Sequence, residues 1–142
     1  MQAQLVFETL FSVESMQELQ DEFAAATGVA SLITRPDGSP ITRPSNFCRL
    51  CRDMIRQSKK GAKNCCASDA RIGQLCLTGP IVQRCHSGGL WDAGAGIAVG
   101  GMHVANWLIG QVRDESMTDR DLREYARQIG IDEDAAAIAF AE

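Results

Sequence analysis

Residues 85–113 read CHSGGLWDAGAGIAVGGMHVANWLIGQVR and contain most of the unusual side chains of the chain. Within this stretch, two apolar runs at 96–99 and 102–112 flank the pair Gly100-Gly101. Two glycines between apolar runs are typical of a β-hairpin, because its tight turn needs positive φ angles. Both faces of the second run are largely apolar, which predicts a strand inside the domain.

Polar side chains interrupt this apolar stretch. His103 and Asn106 lie within the second run, and Cys85, His86 and Asp92 precede it. A buried polar group without a partner costs about 1–3 kcal/mol, so these groups either pair with one another or bind a ligand. Side chains alternate along a strand, so we expect His103 and Asn106 on opposite faces, with at most one of them facing a cavity.

Composition and charge limit the possible classes of function. The 142 residues, 45% hydrophobic and 23% charged, predict one domain with a real core. A net charge of -4, with no basic run beyond Lys59-Lys60, argues against direct binding to nucleic acid. Any contact with DNA would then be made by another domain.

The amino terminus and the six cysteines bear on the compartment. Residues 1–13 carry Glu8 and lack a basic region and a small-residue cleavage site, so we predict no signal peptide. No window approaches the roughly 18 apolar residues of a membrane span. We expect a cytoplasmic protein whose six cysteines are thiols, metal ligands or redox groups rather than a disulfide framework.

Periodicity and turn signals give the order of elements. The expected elements are a helix over 15–28, a hairpin over 29–42, a helix over 46–60 ended by Gly61, a helix from Cys65 or Ser68 to Leu77, a strand over 81–86, the central hairpin, and helices starting near Thr118 and Asp132. This order predicts an α+β domain with one antiparallel sheet flanked by helices. A curved sheet under helices leaves a small cavity between them.

Four motifs carry a family resemblance. Residues 85–113, together with DEFAAATGVASLITRPDGSPIT, FCRLCRDMIRQSKKG and NCCASDA, resemble the PocR sensory domain over roughly residues 11–113. The resemblance implies a variant of the PAS/GAF-like fold that acts as an input module of prokaryotic signalling proteins. It also implies binding of simple hydrocarbon derivatives such as small diols, and attachment to a histidine kinase, a diguanylate cyclase or a DNA-binding domain.

Three cysteine positions recur in that family. The resemblance assigns them here to Cys48, to Cys65 in Cys-x-x-Ser-Asp and to Cys85 in Cys-His-x-Gly. The chain departs from the pattern by carrying three further cysteines, which are Cys51, Cys66 and Cys76. We interpret Cys66 and Cys76 as structural.

The cysteines allow two interpretations. Cys48 and Cys51 form a C-x-x-C on a predicted helix, and with Cys65 and Cys85 they supply enough soft ligands for zinc or an iron–sulfur cluster. A zinc ribbon, however, normally has two such knuckles, and free cysteine often serves as a small buried hydrophobe. The thiols therefore either bind a metal or line a pocket or core.

Four other residues are candidates for ligand contacts. Trp91 and Trp107 can wall a pocket for a small alcohol or pack in the core. Asp92 can accept hydrogen bonds from a hydroxyl ligand or cap the turn before Gly94. His86 can contact a ligand or a metal, or donate to a backbone carbonyl as a core imidazole.

Catalysis is not expected. Cys85 and His86 are adjacent, so on a strand they face opposite ways and cannot form a nucleophile–base couple. The sequence shows no carboxylate pair, phosphate loop or nucleophile elbow.

The sequence therefore predicts one sensory domain over residues 1–142, with a core at about 11–113. A small ligand would bind in a pocket lined by cysteines and by the candidates above, including Asn106. Helices at about 118–142 would link the domain to an attached output domain or to the partner in a homodimer. The alternative is a metal- or cluster-based redox sensor that uses Cys48, Cys51, Cys65 and Cys85.

Overall fold

A four-stranded antiparallel sheet forms the centre of the protein, for which a computed structural model describes residues 5–142. The strands are β1 Ala30–Thr34, β2 Ile81–Arg84, β3 Trp91–Val99 and β4 Met102–Val112, in the order β1-β4-β3-β2. The predicted α+β class with one antiparallel sheet is confirmed.

The central hairpin forms where the glycine pair predicts it. Gly100 and Gly101 connect β3 to β4 with φ angles of 58° and 79°, a conformation that disfavours residues with a side chain. β3 is longer than the predicted run and begins at Trp91.

Helices surround the sheet. They are α1 Phe7–Leu10, α2 Val13–Thr27, a π-helix Leu50–Ile55, α3 Lys59–Leu75, α4 Asp119–Ile129 and α5 Glu133–Ala141. Local capping sets most of their ends: Thr118 and Asp132 cap α4 and α5 as predicted, and Gly28 ends α2 with a φ of 75°. The predicted start of α2 at Ser15 is wrong, because Ser12 caps this helix and accepts a hydrogen bond from the Ser15 amide.

The two faces of the sheet bury different clusters. Alternation along β1 places Leu32 in a cluster with the π-helix, α4 and α5, and places Ile33 in a cluster with Phe7 of α1. Trp107 of β4 packs on the side of Phe7. The π-helix and α3 cover the opposite face. The Trp107 side chain therefore cannot line a site between these helices and the sheet.

The predicted helix over 46–60 is wrong. A π-helix occupies Leu50–Ile55, and α3 starts at Lys59, with Gly61 inside its first turn. The Ser58 side chain caps α3 by accepting from the Gly61 amide at 3.0 Å. A Cβ at Gly61 would strike the Ile55 carbonyl, so this glycine permits a close approach between helices rather than ending one.

The predicted return strand of the hairpin over 29–42 is replaced by irregular backbone. Isolated bridges join this segment to β1 at Thr34–Pro40 and Ser31–Ser45, and the Ile41 amide donates to the Ile33 carbonyl between them. The fully buried Gln20 of α2 accounts for the difference. Its amide donates to the Arg43 carbonyl at 2.8 Å and to Ser45 Oγ at 2.6 Å, and these side-chain contacts replace a regular ladder.

A bulge corrects the expected orientation of His103 and Asn106. The pairing register of β4 shifts between Ile97 and Ala98 of β3, which leaves Val104 unpaired. The side chains of His103 and Asn106 are therefore brought together, with His103 Nε2 at 2.5 Å from Asn106 Oδ1. The prediction that they face opposite sides is wrong, because strict alternation ends at a bulge.

The hydrogen bonds of Gln20 are expected to stabilise the folded protein. Because Gln20→Ala removes the hydrogen bonds of this buried side chain with Arg43, Ser45 and Thr42, we expect the free energy of unfolding to fall by about 2–3 kcal/mol in urea titrations. Glu18→Ala, on the exposed side of the same helix, serves as the control and should change it by less than about 0.5 kcal/mol. Equal losses in the two variants would contradict a special role for Gln20.

Candidate functional site

A small cavity lies between the sheet, the π-helix, α3 and the loop that leads into β3. Its volume is about 40 Å³, the space of about three water molecules. The lining contains apolar residues from the sheet, the π-helix and the loop. It also contains a cluster of polar side chains: Cys51, Arg56, Cys65, Asp69, Cys85, Ser87, Asp92 and Gln111.

Three thiols face this cavity. Cys51 of the π-helix and Cys65 of α3 are buried, with exposed fractions of 9% and 5%, and Cys85 comes from the loop after β2. Cys48 lies just before the π-helix, partly exposed and packed beside the same cluster, but outside the cavity lining. Cys76 is also buried, but it contacts the Gly73 carbonyl away from the cavity.

A buried ion pair forms the polar end of the cavity. Arg56 follows the π-helix and donates to Asp69 of α3 at 3.0 Å, while its guanidinium stacks 4.9 Å from the Phe47 ring centre. The Nε–H of Arg56 is buried and has no hydrogen-bond partner within residues 5–142. A ligand atom that accepts a hydrogen bond would satisfy this donor.

Burial perturbs the two carboxyl groups of the site. Loss of hydration raises the pKa of Asp69 to about 6, although the nearby Arg56 charge opposes this shift. Burial also raises the pKa of Asp92, whose Oδ1 accepts a hydrogen bond from the backbone N–H of Gln111 at 2.9 Å. Both carboxyl groups therefore take up a proton more readily than exposed ones.

A second bulge of β4 shapes the cavity wall. The register shift between Trp91 and Asp92 leaves Gln111 unpaired with a φ of 60°, which is unusual for a residue with a side chain. This conformation lets Gln111 Oε1 accept from the Cys48 amide at 2.8 Å. A Cβ at the preceding Gly110 would strike Asp92, so a glycine is needed there.

The loop before β3 connects the cavity to α4. The Cys65 thiol donates to Ser87 Oγ at 3.2 Å, and Ser87 Oγ lies 2.6 Å from the Tyr125 hydroxyl of α4. On the outer side of this loop, a second cleft of about 270 Å³ is lined by His86 and Tyr125 among others. The exposed His86 side chain thus lies outside the inner cavity, and its amide donates to Ser68 Oγ at 3.0 Å.

Three other predicted site residues also lie outside the cavity. Trp91 Nε1 donates to Asp114 at 2.6 Å, and Trp107 Nε1 donates to Ser31 Oγ at 2.8 Å on the opposite face of the sheet. Asn106 is fully buried and donates to the Arg35 carbonyl at 3.2 Å. The expectation that these side chains wall the pocket is corrected, since each already has a structural partner.

The comparison with known protein families decides the relationship. The family model described as the sensory domain found in PocR matches residues 9–142. The chain belongs to the PocR sensory domain family. A curated relative, the regulatory protein PocR of Salmonella typhimurium strain LT2, is 33% identical over 103 residues, which cover 70% of this chain and 33% of the relative.

The chain thus spans about a third of the length of this PocR relative. No solved structure matches the chain, so its likeness to PAS and GAF folds stays a prediction. The family comprises sensory domains, consistent with the prediction that the chain is not an enzyme. Within residues 5–142, every helix is too short or too polar to cross a bilayer.

Of the three cysteines that the resemblance to the PocR family assigns, Cys65 and Cys85 line the cavity, and Cys48 lies beside it. Among residues 5–142, no three His, Cys, Asp or Glu side chains are arranged to hold a metal ion. Even so, Cys51 is near enough to Cys48, Cys65 and Cys85 for their charges to raise its pKa, after the larger effects of its hydrogen bond with Cys48 and of burial.

Several cavity residues of this PocR domain escape sequence reasoning. A sequence pattern could have indicated Asp69 and Gln111 as cavity residues. Asp69 shares a helix face with Cys65, and Gln111 is polar within an apolar strand. No such pattern indicated Arg56, since a charged residue near the end of a predicted helix is normally solvated. Only the packing of the π-helix on α3 shows that it is buried.

Asp69 makes the stability depend on pH. Its folded pKa of about 6 exceeds the ordinary value of 3.8, so the folded protein binds this proton more tightly than the unfolded chain. The resulting stabilisation is complete below about pH 4 and is lost as the pH rises through 6. We expect the free energy of unfolding of the wild type to fall, relative to that of Asp69→Asn, by about 2 kcal/mol between pH 4 and 6.

Urea titrations at several pH values test this expectation, with Asp53→Asn as the control. Asp53 is exposed, and its hydrogen bonds with Arg52 lower its pKa, so it stays ionised in this range. The difference between wild type and Asp53→Asn should therefore be constant from pH 4 to 6. A constant difference for Asp69→Asn as well would show that burial does not perturb Asp69.

Proposed function

We propose that this PocR-family domain senses a small neutral molecule with hydroxyl groups, such as a short diol or alcohol, bound in the inner cavity. The observation that carries the proposal is the unpaired Nε–H of Arg56, which is buried next to carboxyl groups. A hydroxyl oxygen can accept from Arg56, while its own hydrogen is donated to Asp69 or Asp92. One hydroxyl group therefore complements both kinds of partner.

The size of the cavity favours a very small ligand. A volume of about 40 Å³ is far below the roughly 300–1,000 Å³ of drug-sized pockets. A diol with two or three carbons has a volume comparable to a few water molecules. Apolar lining residues, including Phe47, Leu90 and Leu108, provide contacts for its carbon atoms.

The charge of the cavity favours a neutral ligand. Arg56 supplies one positive charge, and Asp69 and Asp92 supply up to two negative charges. An anionic ligand would add a like charge in a poorly hydrated site, which is unfavourable. A hydroxyl ligand adds no charge and satisfies the unpaired donor.

The contacts around Ser87 support transmission of the signal to the C-terminal helices. Ser87 lines the cavity and contacts Tyr125 of α4, so a ligand that moves the loop also acts on α4. A ligand shifts such an equilibrium only through different affinities for two states. We propose that α4 and α5 pass this shift to an attached output domain, which is a histidine kinase, a diguanylate cyclase or a DNA-binding domain, or to the partner in a homodimer in the cytoplasm.

Arg56→Lys tests the ligand site. Lysine keeps the charge opposite Asp69 but lacks the planar Nε–H donor, so we expect the apparent affinity for propane-1,2-diol to fall about 10-fold or more. The ligand has five non-hydrogen atoms, which limits the dissociation constant to the micromolar range at best. Melting temperatures should therefore be measured from micromolar to millimolar diol.

The matched control is Arg52→Lys. Arg52 is exposed and pairs with Asp53 outside the cavity, so this variant should respond to the diol as the wild type does. Equal diol responses in Arg56→Lys and Arg52→Lys, or no response in the wild type, would overturn the proposal.

A second candidate is a thiolate-bound zinc ion or iron–sulfur cluster. It is favoured by the proximity of Cys51 to Cys48, Cys65 and Cys85. Elemental analysis and absorption spectra of protein purified without oxygen separate the two functions. The diol proposal predicts colourless, metal-free, folded protein, whereas stoichiometric zinc or a brown chromophore that is lost in Cys65→Ser would support the metal site.

A further inference from the structure

We propose that Cys48 and Cys51 form a reversible disulfide when the domain meets a peroxide, and that this bond remodels the wall of the inner cavity. The two residues are three apart in the chain, at the entry to the π-helix. Both are free thiols in the structure. The pair would thus give the domain a second input, one that depends on oxidation rather than on ligand concentration.

The geometry suits disulfide formation. Residues three apart in a helical turn have Cα atoms about 5 Å apart, within the range that a disulfide spans. The Arg52 amide donates to the Cys48 carbonyl at 2.9 Å, which places Cys48 and Cys51 in the same helical turn. The Gln111 side chain fixes the backbone at Cys48 by accepting from its amide at 2.8 Å.

The two thiols differ in the way that a sensor pair requires. Cys48 is partly exposed, so a peroxide can reach its sulfur. Cys51 is buried, with an exposed fraction of 9%, and it lines the inner cavity. Cys48 is therefore the nucleophile that meets the oxidant, and Cys51 is the resolving thiol.

The reaction balances with hydrogen peroxide as the oxidant. The Cys48 thiolate attacks one peroxide oxygen, the O–O bond breaks, and the departing hydroxide takes a proton to become water. The Cys51 sulfur then attacks Sγ of the Cys48 sulfenic acid, loses its proton and releases a second water. Two thiols and one peroxide thus yield one disulfide and two waters, and a dithiol reductant reverses the change.

The position of Cys51 links oxidation to the cavity. Its thiol lines the cavity, and its carbonyl accepts from the Arg56 amide at 3.0 Å across one turn of the π-helix. A disulfide draws the Cys51 sulfur toward Cys48 and shifts the turn that positions Arg56. We expect the oxidised domain to bind diol at least about 10-fold more weakly, a step that depends on the proposed function.

Peptide mapping of the metal-free chain tests disulfide formation by itself. One equivalent of hydrogen peroxide should lower the intact mass by about 2 Da and link the peptides of Cys48 and Cys51. In Cys51→Ser, oxidation should stop at a sulfenic acid on Cys48, which dimedone traps. Cys51→Ala is a second variant for the case in which serine at this buried position destabilises the fold. Cys66→Ser removes a partly exposed thiol on α3 and should form the same disulfide as the wild type.

The outcomes separate this inference from the function it extends. Oxidation at another pair, or no disulfide at all, overturns the inference even where diol raises the melting temperature. A Cys48–Cys51 disulfide in a protein that ignores diol when reduced overturns the ligand proposal and leaves the thiol pair standing. A disulfide that leaves the diol affinity unchanged overturns the link between the two.

Discussion

The buried ion pair between Arg56 and Asp69 joins the two helical segments that cover the sheet. Removing two charges from water costs several kcal/mol per ion, so the pair persists only where geometry and further partners compensate. Asp69 gains that compensation from Arg56, but the Arg56 Nε–H is left without a partner within residues 5–142. The proposed ligand site rests on this unsatisfied donor.

Strand β4 carries two bulges that set where its polar side chains point. The first brings His103 beside Asn106, and the second turns Gln111 toward the segment that carries Cys48. The positive φ of Gln111 is a strained conformation that the neighbouring contacts hold in place. Bulges of this kind re-aim side chains beside functional sites.

The cavity wall is connected to the elements that would carry a signal. The contacts from Cys65 to Ser87 and from Ser87 to Tyr125 join α3, the loop before β3 and α4. Cys51 links the same cavity to the partly exposed Cys48. A bound hydroxyl ligand would therefore act on these contacts from the inner cavity, and an oxidant would act on them from Cys48 at the surface.

Features that depend on neighbours within a few residues could be predicted from the amino-acid sequence. The Gly100-Gly101 turn follows from the need for positive φ, and the inward face of Cys65 and Asp69 on α3 follows from the helical period. The antiparallel α+β order and the family resemblance could also be predicted, because the motifs are long and specific. Capping was harder, since Gly61 resembles a helix end but lies in a first turn.

Which side chains share the cavity depends on contacts between remote segments of the chain. Arg56 is largely enclosed because it reaches from the end of the π-helix to Asp69 of α3. Asn106 lies outside the cavity because Thr34 and Arg35 hold it farther along β4. The contact between the Cys48 amide and Gln111 joins residues 63 positions apart, and no local pattern encodes such a distance. Propensity and periodicity act over one or two turns, whereas the enclosure of a site is set by the packing of elements that are remote in the chain.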